Sequence, residues 1–291
     1  MSVWLRAALE AGVPAFAAGF IWLLSGRIRS LHRFGWLLSP LAIGAGYLVA
    51  HILLNRGVPP FPPTDSIHWL FYFALLGIGL GWLAELPADY RWLWGSLGLL
   101  WLGWLMVLGF KPLLESGYWA PWSGARIILL LTLAAWLLMV LVAPIGEQER
   151  GAGLPFLLAT LGGLSAGLIF YNKSALLGQL AGSLGAVLGM GVLMSWVMRG
   201  FQLGRGAVAL ALLLMALLWS MAYGYAELPA HFLALLYLTG VSLGISRLKP
   251  LTRLHPIALF TLRLLLLLLL TGIPLLLSYQ TYMARQQEYP Y

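Results

Sequence analysis

The chain contains no cysteine. That excludes disulfides, thiolate metal sites and iron–sulfur clusters, all of which need sulfur. Charge is almost as scarce. Asp, Glu, Lys and Arg make up 9% of the 291 residues, against roughly 25% in a typical soluble domain. No water-soluble stretch is long enough to form a second domain, so residues 1–291 read as a single integral membrane domain. Period-2 alternation is missing from the Leu-rich runs, which argues against an outer-membrane barrel. No phosphate-cradling glycine loop, catalytic-triad spacing, paired intramembrane carboxylates or metal-ligand spacing such as H-E-x-x-H appears. Acids deep in the apolar runs are missing too, and coupled transporters usually place such groups near the midplane.

What remains is oil. Hydrophobic residues make up 61% of the chain, in stretches of about 20, the length that crosses roughly 30 Å of hydrocarbon as a helix. The expected fold is all-α: a polytopic transmembrane helical bundle of ten spans. They run over 7–25, 35–54, 67–86, 92–110, 126–145, 152–171, 175–198, 206–225, 229–246 and 256–279. Polar and Pro/Gly-rich breaks separate them, the shortest being the Asn172-Lys173-Ser174 turn. Arg6 and Glu10, four residues apart on one helix face, interrupt the first apolar run, which reads as a span and not as a cleavable signal. The first span opens "AGVPAF" and the sixth "AGLPFL", a faint sign of a 5+5 inverted repeat.

The net charge of +8 does not point to nucleic acid, because the basic residues sit in short loops where positive-inside topology accounts for them. Loops after odd-numbered spans hold Arg27, Arg29, Arg33, Arg91, Arg150, Arg199, Arg205, Arg247, Lys249 and Arg253. The opposite side holds Arg6, Arg56, Lys111, Arg126, Lys173 and Arg285. The first set is richer, so the expected location is a bacterial-type inner membrane with both termini outside the cytoplasm. Trp69, Trp82, Trp92, Trp94, Trp119 and Trp122 fall near span ends, as an interfacial belt requires.

Histidine placement is not random. His51 ends the second span, His68 opens the third and His231 opens the ninth, all on the outer side of this topology. Pro40, Gly44, Tyr47 and His51 recur at helical spacing and form one small-and-polar stripe of the kind that faces other helices. His68 and Tyr72 are one turn apart, and Tyr223, Tyr225, Glu227 and His231 cluster likewise. Between the second and third spans lies "PPFPPTDS". Its prolines cannot continue a helix, and Thr64, Asp65 or Ser66 is placed to cap the next one. Two readings stand for Tyr47, His51, Asp65, His68, Tyr72, Tyr223, Glu227 and His231. They are interfacial anchors, or they line an outer-face pocket for a quinone, a lipid headgroup, a small solute or a haem iron.

In the seventh span Gly178, Gly182, Gly185 and Gly189 form small-xxx-small faces for close helix packing, within the bundle or to another subunit. Arg263, about two turns inside the tenth span, reads as a lipid-headgroup ligand reached by snorkelling. The expected partners are the lipid bilayer and other membrane subunits or a second copy of the chain. The leading functional expectation is a non-catalytic subunit of a membrane complex. A permease for a small solute or lipid, and a quinone-, haem- or lipid-handling protein, are the alternatives.

Overall fold

A computed structural model describes residues 3–28, 35–248, 251 and 254–288. Among these, ten helices are long and apolar enough to cross a membrane, and no strand occurs. The protein is a multi-pass membrane protein with an all-α fold. The spanning helices are α1 (Val3–Arg27), α2 (Gly35–Asn55), α3 (Trp69–Ala84), α4 (Arg91–Glu115), α5 (Pro121–Val142), α6 (Gly153–Tyr171), α7 (Ala175–Val197), α8 (Arg205–Tyr225), α9 (Ala230–Ser242, whose span a 3-10 helix, Leu243–Arg247, completes) and α10 (Pro256–Glu288). Arg29, His32, Arg33, Lys249 and Arg253 lie outside the described residues. So does the side chain of Arg6, and with it the expected pairing to Glu10.

The break at Asn172 separates two full spans. Asn172 and Ser174 close α6 and open α7, with the Ser174 hydroxyl accepting from the Leu177 amide at 3.3 Å. The fifth span starts five residues earlier than expected. Pro121 occupies its first turn, where a missing N–H costs nothing and the fixed φ already suits a helix.

α8 is the axle of the bundle. Every residue from Arg205 through Ala222 is buried, and α8 packs against α2, α3, α4, α5, α6, α7 and α9. A helix apolar all round belongs in such a place. Around it the helices form two groups. In one, α1, α2, α6 and α7 pack on one another, with α10 added against α6. In the other, α3, α4, α5 and α9 gather on α8. Within each half of the chain the first helix packs on the second and the fourth on the fifth, and the two third helices, α3 and α8, meet across the halves.

The small residues of α7 serve contacts inside this frame. A side chain on Gly185 would meet the Gly163 amide nitrogen at 3.0 Å and the Ala159 carbonyl at 3.2 Å. One on Gly178 would meet the Ala166 carbonyl at 2.9 Å. Gly182 and Gly189 look toward the same helix at ordinary distances from Ala166 and Ala159. This face is therefore occupied by α6 of the same chain.

Arg263 corrects an expectation. It is 2% exposed, and its two terminal nitrogens donate to the Glu149 carboxylate at 3.0 and 2.6 Å. The guanidinium is matched by a fork of carboxylate oxygens, so it does not snorkel to a headgroup. It ties α10 to the segment that follows α5.

Candidate functional site

The two ends of the bundle differ in construction. One end collects the loops after even-numbered spans and carries the proline turn. Asp65 accepts from the Ile67 amide at 3.0 Å and caps a short 3-10 turn, Ser66–His68, that feeds α3. Tyr47 and His51 project from α2 into the interior and are both fully buried. The His51 Nε2–H donates to the Ile67 carbonyl at 3.2 Å, and Asn55 donates to its Nδ1 at 3.1 Å. The ring of His68 lies 6.3 Å from that of His51, and Tyr47 is 6.4 Å away on the other side. Tyr72 donates to the Pro59 carbonyl at 2.8 Å and packs edge-on against Phe61, holding the proline turn down.

The remaining expected residues do not join that cluster. Tyr223 packs on Trp119, and Tyr225 donates to the Gly109 carbonyl while accepting from Ser66 at 2.9 Å. Glu227 forms an exposed ion pair with Lys173 at 2.5 Å. That hydrogen-bonded ammonium holds the Glu227 carboxyl below the usual range. His231 is exposed, its ring against Phe232. Of the eight expected residues, Tyr47, His51, Asp65, His68 and Tyr72 gather at the proline turn, while Tyr223 packs on Trp119 and Glu227 and His231 are exposed. Both ring nitrogens of His51 are committed to protein partners, so His51 and His68 as they stand do not fit a bis-imidazole ligand pair. Among the described residues no group of three or more His, Asp or Glu could hold a metal ion.

The opposite end, which collects the more basic loops, holds a cavity of about 440 Å³. Its walls come from both helix groups. Trp22, Ser25 and Gly26 of α1 and Ser39 of α2 stand on one side, with the 198–204 loop between α7 and α8. Glu85, just past α3, and Glu147, just past α5, stand on the other. The Trp22 indole donates to Ser39 at 3.1 Å and its ring meets Phe201 edge-on. Gln202 donates to the Glu147 carbonyl, and the Gly204 amide to the Gly146 carbonyl at 3.2 Å, pinning the loop in place.

Glu85 sits where this chamber meets the axle. Its carboxylate accepts from the Gly206 amide at 2.7 Å and so caps the N-terminus of α8 from another helix. The approach depends on glycine. Gly204 adopts φ +83°, and a side chain there would meet the Glu85 Oε1 at 2.7 Å. A side chain at Gly206 would strike the Gly81 carbonyl. Burial pushes the Glu85 carboxyl up, and the Gly206 amide opposes that rise. Glu147 pushes it the same way as burial, while Arg205 works against it. Arg205 itself is buried, its guanidinium 4.9 Å from the centre of the Trp94 ring. Trp94 is thus a buried cation partner, not a member of the interfacial belt.

Sequence reasoning passed over Glu85, Glu147 and Gln202, and used Arg199 and Arg205 only to set orientation. A signal was present. The chain has only nine acids, and Glu85 and Glu147 both fall at span ends on its more basic side.

No protein family, curated protein or solved structure matches the chain.

Proposed function

We propose that the protein is a membrane carrier that binds a small polar or polar-headed ligand in the chamber between its two helix groups. One observation carries this reading. The seam between the groups widens into a charged cavity at one end, where the Trp82–Leu37 hydrogen bond and the Arg263–Glu149 pair still bridge it, and is filled by bonded and stacked side chains at the other. Alternating access needs that asymmetry, and it needs a binding site on the seam. Two bonds cross from one group to the other at the proline-turn end, His51 to the Ile67 carbonyl and the exposed pair of Lys173 with Glu227. Opening that end means breaking them. The chamber's mixed charge, with Glu85, Glu147 and Arg199 in its lining, suits a ligand bearing both signs.

The subunit reading rests on the short loops, the few deep polar groups and the glycine and tryptophan content; of these, the four glycines of α7 face α6 of the same chain and so do not argue for a partner. The Lys/Arg asymmetry supports a chamber that faces the cytoplasm, with both termini on the other side.

The chain's lack of cysteine allows a direct test. Single-cysteine variants Gln202→Cys, partly exposed in the chamber lining, and Ser66→Cys, buried at the proline-turn end, are treated with a membrane-impermeant maleimide from each side of sealed vesicles. A carrier reacts at Gln202→Cys from the chamber side quickly, and at Ser66→Cys from the other side slowly but to completion. A static subunit leaves Ser66→Cys unmodified, and that result would remove the carrier reading.

A further inference from the structure

The chamber does not end at its own walls. Beside it, in the crevice between α1 and α7, runs a second hollow of about 590 Å³ lined only by apolar groups. Phe16, Gly19 and Phe20 form one bank, Met190, Leu193 and Met194 the other. The two hollows are consecutive along the same pair of helices. On α1 the groove occupies 16–23 and the chamber 22–26, while on α7 the groove ends at Val197 and the chamber begins at Met198. At 1.5 Å per residue, Gly19 lies about 10 Å deeper in the membrane than Gly26. A charged cavity at the depth of the headgroups thus runs into an oily one at the depth of the acyl chains.

We infer that the ligand is a phospholipid with a zwitterionic, amine-bearing headgroup, its head in the chamber and one acyl chain in the α1–α7 groove. This rests on the reading of the chamber as the ligand site. The chemistry follows from the lining. A headgroup phosphate finds Arg199, and its ammonium finds the carboxylates of Glu147 and Glu85. A purely anionic headgroup meets the same two acids with nothing to offer them. A cavity of this volume falls in the range of small-ligand sites, ample for a phosphoethanolamine group but not for a whole lipid, so the chains must leave it. The groove gives one of them an exit. Its floor is adaptable. Met190 packs into the notch at Gly19 and Met198 into that at Gly26, and unbranched thioether side chains re-pack readily around a guest.

The test uses the intact protein in nanodiscs of equal phosphatidylethanolamine, phosphatidylglycerol and phosphatidylcholine. Retained lipids are counted by native mass spectrometry after transfer to detergent. The expected result is one retained phospholipid, with phosphatidylethanolamine favoured over phosphatidylglycerol by about fivefold, the scale of one solvent-exposed ion pair. Glu147→Gln, at an exposed position, should bring that preference close to one. Leu193→Trp, which fills the groove from its exposed bank, should cut retention of every two-chain lipid severalfold without altering thermal stability. Equal retention of the two lipids by the unmodified protein, or an unchanged preference in Glu147→Gln, would overturn the proposal. So would full retention in Leu193→Trp. If soluble glycerophosphoethanolamine protects Gln202→Cys from maleimide while no lipid is retained, the lipid proposal fails and the chamber's ligand-binding role survives.

Discussion

Glu85 concentrates the chemistry of the chamber in one side chain. It caps α8, borders the cavity, and faces Glu147 and Arg205. Burial raises its proton affinity in the folded protein, so its contribution to stability is fully present below the ordinary carboxylate range. That contribution is lost as pH rises through the elevated value. The melting temperature of the purified protein should therefore fall across that window. Glu85→Gln, which keeps an oxygen to accept from Gly206, should flatten the fall. An unchanged slope in Glu85→Gln, followed by circular dichroism, would show that Glu85 does not titrate in the folded state. The residues that sequence pattern reveals are those whose partners lie close along the chain. Tyr47 and His51 stand one turn apart on a polar stripe, and the stripe points inward. Arg263 shows the opposite case. Its partner Glu149 is 114 residues away, so from sequence alone a buried ion pair looks the same as a snorkelling arginine. Removing Glu149 would strand the buried Arg263 charge, at a cost of about 3–5 kcal/mol.

At the scale of helices, hydropathy and punctuation located all ten spans, because in lipid every backbone group must be satisfied within a helix. Ends were less legible where a proline starts a helix, as at Pro121, or sits inside its last turns, as Pro112 does in α4. Which helix lies at the centre was not legible at all. α8 is not the most apolar of the ten spans by hydropathy, and only packing sets it apart. The α6–α7 contact offers a sharp comparison. Gly185→Ala puts a methyl group against backbone atoms of α6 that have no side chain to swing away. It should destabilise the protein by about 1–3 kcal/mol, the cost of overpacking. Gly182→Ala meets only Ala166 Cβ at 3.5 Å, and should be neutral or mildly stabilising, since alanine favours a helix over glycine by about 1 kcal/mol. Thermal unfolding of the two variants in the same detergent checks the contrast. Equal effects would mean that α7 does not approach α6 as described.

For the whole molecule, the central claim is that two helix groups move about the α8 axle, exchanging the open chamber for an opening at the proline-turn end. The sequence carried half of this, a polar stripe and a rigid turn at one end. The chamber was invisible because its walls come from five separate stretches of chain, none of which is a motif. The most direct measurement is the distance between spin labels at Arg56, in the group containing α1 and α2, and Tyr118, in the group containing α4 and α5. Pulsed electron resonance on the doubly labelled protein in nanodiscs should show two distance populations, the longer one minor. Removing the cross-group ion pair with Lys173→Ala should enlarge the longer population. A single narrow distance, unchanged by Lys173→Ala and by lipid composition, would contradict the carrier account.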